Sequence, residues 1–236
     1  MPLQYELHCH SCVSPCAENE MTPVTVCGLA KLAGIELLSI TDHNSAANLP
    51  AAKLACDAYG LALLPGIEVT TAEEIHLLCY FPTVEAALEM GQQLYRLLPD
   101  IPCDARYFGE QLVMDEDDRI IDRPQKLLTN AAACNIARAK QMAEVLGGLA
   151  VPAHLDKDTT SVLSVLGFMP DEPVFPCVEM RHPEKADSLI ASGRMPTPQE
   201  ILVSSDAHQT DAIGSAGGQM QDPRRSYLWP LLKNIM

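Results

Sequence analysis

The chain has 236 residues, with 16 Lys+Arg against 31 Asp+Glu and a formal net charge of −15. That length suits one compact domain with a substantial core and argues against a second full domain. The charge argues against electrostatically driven binding to nucleic acid or an anionic membrane. No run reaches the roughly 18 apolar residues of a spanning helix, and the N-terminus lacks the layout of a signal peptide, so a cytoplasmic protein is expected.

In chain order, a strand-like run Tyr5–His10 carries His8 and His10. A helix entered through Thr22-Pro23 and closed by Gly34 follows, then a run Glu36–Thr41 leading into Asp42-His43. A second helix covers Ala46–Tyr59; Leu61–Val69 carries Glu68, His76–Phe81 opens on His76, and a helix spans about Val84–Leu98. From about 99 to 128 the rhythm breaks. Gln111–Met114 and Arg119–Asp122 flank the acidic Asp115–Asp118, the pattern of a β-hairpin insertion around a solvated turn. Beyond it come a helix over Asn130–Leu146, strands Leu149–His154, Val174–Met180 and Ile201–Ser205, and short helices Glu184–Ser192 and Tyr227–Ile235. Strands alternating with helices imply parallel pairing, in a βα barrel or an open sheet. Polar groups end strand after strand, at His8/His10, Asp42/His43, Glu68, His154, Glu179 and Asp206/His208. Only a barrel gathers all its strand ends at one mouth, so the α/β barrel is the expectation.

The nine cysteines are mostly scattered through apolar runs and read as small buried hydrophobes. Cys9, Cys12 and Cys16 have a spacing that an iron–sulfur cluster could use, but strand alternation turns Cys9 away from its flanking histidines and toward packing. His8-x-His10 places two imidazoles on one strand face, a spacing that suits one metal ion. Asp206-x-His208 does likewise, and Glu68 supplies a carboxylate able to bridge two ions.

Taken together, His8-Cys-His10-Ser11, Ile40-Thr-Asp-His43, Gly66-Ile-Glu68, Ile75-His76-Leu-Leu, Pro152-Ala-His154 and Ser205-Asp206-Ala-His208 resemble the PHP (polymerase and histidinol phosphatase) family over residues 6 to 208. The resemblance implies one metal-dependent hydrolase domain over residues 1–236, a distorted seven-stranded (β/α) barrel with the small β-hairpin insertion. It also implies two or three divalent ions, zinc, manganese or iron. His8, His10, Glu68 and Asp206 would hold the first, and Glu68, His76 and His154 the second. His43 and His208 would contribute to a third, completed by Cys16 or by Glu18 or Glu20, since the usual Asp or His is missing there. Asp42 would orient a ligand by hydrogen bonding.

The implied chemistry is phosphoester hydrolysis by a water that loses its proton between the ions and attacks phosphorus in line. Glu68 and Asp206 would frame the reaction, His208 or His43 could protonate the leaving group, and Lys157 and Arg181 would bind phosphate. The expected substrate is a small phosphomonoester or nucleotide, with no nucleic-acid partner. Two alternatives remain open: an amidohydrolase-like enzyme on the same metal site, and a non-catalytic metal- or redox-sensing protein.

Overall fold

The computed structural model describes residues 2–236. Its strands are β1 (Leu3–Glu6), β2 (Leu37–Leu38), β3 (Ala62–Leu63), β4 (Gly66–Thr70), β5 (His76–Tyr80), β6 (Val113–Met114), β7 (Ile120–Asp122), β8 (Leu149–Pro152), β9 (Cys177–Glu179), β10 (Glu200–Leu202) and β11 (Gly218–Met220). The helices are α1 (Pro23–Leu32), α2 (Leu49–Tyr59), α3 (Val84–Leu97), α4 (Ala105–Phe108), α5 (Ile136–Val145), α6 (Val162–Val165), α7 (Ala186–Ala191) and α8 (Trp229–Leu232). Local sequence explains several boundaries. Thr22 caps α1 ahead of Pro23, Thr83 caps α3, and Gly60 ends α2 in the left-handed conformation.

Three sheets and the β6–β7 hairpin result, rather than one continuous closed barrel: β11-β1-β2-β3, β4-β5-β8 and β10-β9. They meet edge to edge. Isolated parallel bridges pair Cys9 with Ala207 and His43 with Glu68, and Leu155 N–H donates to the Glu179 carbonyl at 2.9 Å. Pairing is not uniformly parallel as the βα rhythm implies, because β5 runs antiparallel to both β4 and β8. The reason is local: β4 and β5 are joined by the short turn 71–75, too short for the crossover a parallel pair needs.

Two other departures have physical causes. The apolar run 61–69 splits into β3 and β4 at Pro65, which has no N–H to give a ladder. The helix expected from Asn130 begins only at Ile136, because Ala132 and Ala133 donate instead to the Thr70 and Leu97 carbonyls, and Asn135 caps the helix. Strand β11, antiparallel to β1, and the short α4 inside the insertion were not expected from the sequence.

Apolar residues divide between the two sheet faces. Tyr5, Leu7, Leu64, Leu78, Tyr80, Val151 and Leu202 form an inner cluster, closed at one end by Leu228, Leu231 and Leu232 around α8. Leu38, Ile40, Ile67, Cys79, Ala150 and Val178 face the helices in the larger core. Along β4 and β5 the period of two is plain: Ile67 and Val69 face the helices, whereas Glu68 lies between them on the other face. The polar residues discussed next cover the open end of the inner cluster.

The sheet edges leave little slack. A Cβ on Gly66 would lie 2.5 Å from Ser39 Oγ and 2.7 Å from Thr41 Cγ2. Gly66→Ala is therefore expected to lower unfolding free energy by about 1–3 kcal/mol, read as a reduced urea midpoint at unchanged m; an unshifted midpoint would show that β2 and β4 can separate freely.

Candidate metal centre

Glu68 is 1% exposed and is surrounded by imidazoles. His76 Nδ1 lies 2.8 Å and His154 Nε2 3.1 Å from its Oε1, while His43 Nδ1 lies 3.0 Å from Oε2. His8 Nε2 is 3.3 Å from Oε1 and His10 Nε2 3.4 Å from Oε2. Asp206 closes the other side, with Oδ1 at 3.2 Å from His8 Nε2 and 3.3 Å from His10 Nε2. Three sets of ligand-type atoms each fall within 4.8 Å of one another: His8, His10, Glu68 and Asp206; His43, Glu68 and His76; and His10, His43 and His208.

The fold explains this convergence. Regular pairing of β1 stops at Glu6, after which Cys9 packs into the helix-side core and His8 and His10 turn the opposite way. His154, with φ 31°, and Asp206, with φ 54°, sit in left-handed backbone just beyond β8 and β10. Such strained non-glycine positions persist only where surrounding contacts enforce them. His76 arrives differently: because β5 is reversed, its first residue, not its last, reaches the mouth.

Hydrogen bonds behind His8 and His10 fix which nitrogen of each of these two rings faces the centre. The carboxylate of Glu179 lies 3.0 Å from His8 Nδ1 through either oxygen and also accepts from His154 N–H at 2.7 Å. Ser14 Oγ donates to Asp42 Oδ1 at 2.7 Å, accepts from His43 N–H, and lies 3.1 Å from His10 Nδ1, which must therefore be the donor. Asp42 also accepts from Ser11 N–H and Oγ. With both Nδ1 atoms committed as donors, the Nε2 lone pairs of His8 and His10 face each other at 3.3 Å. A cation or a shared proton must stand between them.

Four buried atoms at the cluster have no hydrogen-bond partner: Glu68 Oε2, His43 Nδ1, His154 Nδ1 and Asp206 Oδ1. Buried orphan groups are costly, and nitrogen and carboxylate donors in this arrangement fit divalent cations. The electrostatics agree. Burial pushes the Glu68 carboxyl up, but His76, His8 and His43 outweigh it and hold the group well below the usual range. Asp206 is likewise driven down despite burial, chiefly by His8 and His10. His10 is pushed well below the ordinary imidazole value by burial and by His208 and His43. In contrast, His8 is raised well above it against burial, by Glu179, Asp206 and Glu68. Burial opposes charge on His43 too, yet Glu68 and Cys16 lift it to about 10. The buried carboxylates thus favour charge on His8 and His43 and oppose its loss, the same preference a bound cation would satisfy.

Of the residues singled out in the sequence, His8, His10, His43, Glu68, His76, Asp206 and His208 fall in these sets, and His154 reaches Glu68. Cys16 lies outside the three sets, although the neighbouring His208 and His43 outweigh burial and bring its thiol down to about 6. Glu18 accepts from Thr210 N–H instead, and Glu20 is exposed. Burial pushes the Cys9 and Cys12 thiols up, and no three thiols share such a neighbourhood among the described residues, so an iron–sulfur site is not formed. Lys157 Nζ lies 3.0 Å from Asp206 Oδ2, and both Lys157 and Arg181 line a cavity of about 280 Å³ bordered by His154, Glu179 and Asp206. Sequence reasoning noted Glu179 at a strand end without a role, and missed Ser14; both act on ligand-type histidines.

No family model matches the chain. Among curated proteins it is 31% identical over 71 residues to a 5'-3' exoribonuclease of Haemophilus influenzae and 38% identical over 74 residues to the 5'-3' exoribonuclease Rnm of Salmonella typhimurium. Each match covers 30% of this chain, and the chain spans only about a quarter (25% and 24%) of those relatives. Among solved structures, the lesion-specific endonuclease PfuEndoQ of Pyrococcus furiosus aligns at TM-score 0.62 and 19% identity, over 90% of this chain and 50% of that one. A protein of Bifidobacterium adolescentis assigned as a metal-dependent phosphoesterase aligns at 0.60 and 17%, over 98% and 94%. An amidohydrolase of Chromobacterium violaceum aligns at 0.59 and 17%, over 98% and 96%. The fold is thus one shared with an endonuclease, a protein assigned as a metal-dependent phosphoesterase and an amidohydrolase.

These comparisons overturn the exclusion of nucleic acid drawn from net charge: the two curated relatives are ribonucleases and the first structural neighbour is an endonuclease. Net charge is a sum over the whole surface, whereas a polyanion responds to the local potential at a cleft. Here the acidic excess includes carboxylates turned inward on imidazoles, with Lys157 and Arg181 at the mouth. No helix among the described residues is long and apolar enough to cross a membrane.

Asp42→Asn should weaken divalent-metal binding by roughly 10–100-fold in titration calorimetry, since the Ser14–His10 and Ser14–His43 contacts lose their anchor. In metal-stripped protein, alkylation of Cys16 should reach half its plateau rate near pH 6, whereas Cys9 and Cys12 stay unlabelled. A Cys16 midpoint above pH 8 would remove its contacts with His43 and His208.

Proposed function

We propose that this chain is a PHP-type metal-dependent phosphoesterase acting on nucleotides and on the ends of nucleic-acid strands, with two or three divalent ions, zinc, manganese or iron, held by the cluster around Glu68. One observation carries the reading: a single buried carboxylate ringed by five imidazoles, with orphan atoms left on Glu68, Asp206, His43 and His154. The strand circuit through β1, β2, β4, β5, β8, β9 and β10, bridged at Cys9–Ala207 and His43–Glu68, supports a distorted seven-stranded barrel as the scaffold, with 99–128 as its insertion.

His8, His10, Glu68 and Asp206 would hold one ion, and Glu68 would bridge to a second held with His76, His154 and His43. His43 and His208 would contribute to a third position, near the Cys16 thiol, with His10 Nε2 already committed to the first. Bound divalent ions would supply a water nucleophile at neutral pH and neutralise charge developing on the phosphoryl and leaving-group oxygens. The chain's own groups do the rest. Lys157 and Arg181 orient the phosphate oxygens, Glu179 and Ser14 keep the His8 and His10 rings in one tautomer, and His208, part-exposed, would protonate the leaving oxygen when it is free from ligation. The cationic rim favours a phosphate ester over the uncharged bond of an amidohydrolase substrate. The mouth cavity, about 280 Å³, suits one nucleotide at a time.

Metal-stripped protein should be inactive on p-nitrophenyl phosphate and on 5′-phosphorylated oligonucleotides and recover with added manganese or zinc. His10→Ala and Asp206→Ala should each lower turnover on the order of 10³-fold, and Cys16→Ser should change metal count or preference. Full activity in the His10 variant, or amide turnover insensitive to inorganic phosphate, would refute the reading.

A further inference from the structure

Arg181 and His182 follow β9 on an exposed loop, yet their backbone is held by a carboxylate that is itself 2% exposed. Asp156 accepts from Arg181 N–H at 2.9 Å through one oxygen and from His182 N–H at 2.8 Å through the other, with Lys185 Nζ 3.9 Å away. The same turn carries a cluster ligand, since Lys157 N–H donates to the carbonyl of His154, two residues before Asp156. Asp156 thus joins the segment after β8, which presents His154 and Lys157, to the segment after β9, which presents Arg181. Both of its oxygens are occupied by backbone, so it is poorly placed to neutralise Arg181. Arg181, like Arg96, Arg138, Arg194 and Arg225, has no ion pair among the described residues, but of these only Arg181 lines the cavity beside Glu179 and Asp206. In a chain of net charge −15, a guanidinium left unpaired at the rim of a cavity is available for an anionic ligand.

We propose that Asp156 is a positioning residue that builds the anion-recognition wall of the site. By clamping the Arg181–His182 backbone against the His154 turn, it holds Arg181, Lys157 and Lys185 over the mouth cavity, where they take the phosphate oxygens of the substrate. This rests on the phosphoesterase reading for its substrate but not for its geometry. Arg181 and Lys185 act here as a pair fixed by one buried acid, so the wall behaves as a unit rather than as independent surface charges.

The test uses the full-length, metal-loaded protein with Asp156→Ala and Asp156→Asn. Inorganic phosphate binding is measured by calorimetry, amide exchange at 181 and 182 by mass spectrometry, and metal content by elemental analysis. Asp156→Ala should weaken phosphate binding about tenfold, raise exchange at 181–182 and lower kcat/KM on p-nitrophenyl phosphate chiefly through KM, with metal content as in wild type. Asp156→Asn, which keeps one acceptor oxygen, should be intermediate and provides the measurement if the alanine variant does not fold. Raised exchange with phosphate affinity and KM within twofold of wild type would make the clamp merely structural and overturn the proposal. Loss of metal in both variants, or no phosphate affinity in wild type, would overturn it as well. If wild type binds phosphate but hydrolyses no phosphoester, the phosphoesterase reading fails, and the phosphate and exchange measurements still decide the role of Asp156.

Discussion

The structure is organised around one unfavourable act, the burial of the Glu68 carboxylate at the end of an apolar core. A buried carboxylate persists as an anion only with close positive partners and hydrogen bonds. Five histidines converge on Glu68 from β1, β2, β5 and β8, elements far apart in the chain. Each ring must then be oriented, and the orienting groups are again carboxylates: Glu179 under His8, and Asp42 through Ser14 under His10. Glu6 extends the pattern outward by accepting from Ser205 N–H and Oγ, fixing the segment that presents Asp206. Four of the 31 acidic residues, Glu6, Asp42, Glu68 and Glu179, are thus interior scaffolding for the histidine cluster.

Strand reversal is the second constraint. If every strand ran parallel, only residues after strand ends could meet at the mouth, and β5 would deliver Tyr80 there instead of His76. The antiparallel hairpin of β4 and β5 lets Glu68 and His76 face one another across neighbouring strands, with Thr70 paired to His76 in register. Tyr80, at the opposite end, instead donates to the Leu7 carbonyl and closes the inner core beneath the site. One reversal therefore serves both ends of the strand.

The ligand-type residues were legible because chemistry of that kind is rare beside apolar runs and recurs here at strand after strand. The helices α1, α2 and α3 were legible for local reasons, a Thr cap before each of α1 and α3 and Gly60 after α2. What could not be read depends on tertiary contacts. Nothing in the sequence marks the left-handed backbone at His154 and Asp206, or tells that Ala132 will bond across to β4 and delay α5. Ser14 looks like any loop serine until Asp42 is placed 2.7 Å away. Cys16 sits in the right loop to complete a third metal position, yet its sulfur stays beside rather than within the ligand sets, a distinction decided by a few ångströms of loop path.

Net charge misled for the same reason that composition often does: it counts groups without regard to where they point. Of the acidic residues, Glu6, Asp42, Glu68 and Glu179 are each no more than 2% exposed and are spent on histidines, serines or backbone N–H groups, so they project little field into solvent. Divalent ions at the centre would reverse the local sign altogether, since a bound cation is the largest charge in such a site. Lys157 already lies against Asp206, and Arg181 stands unpaired at the rim. At this mouth Lys157, Arg181 and Lys185 stand beside Asp158 and Asp206, and for an approaching phosphate the more distant acidic surface is screened within about 8–10 Å at physiological salt. An acidic chain can therefore carry a phosphate-seeking site.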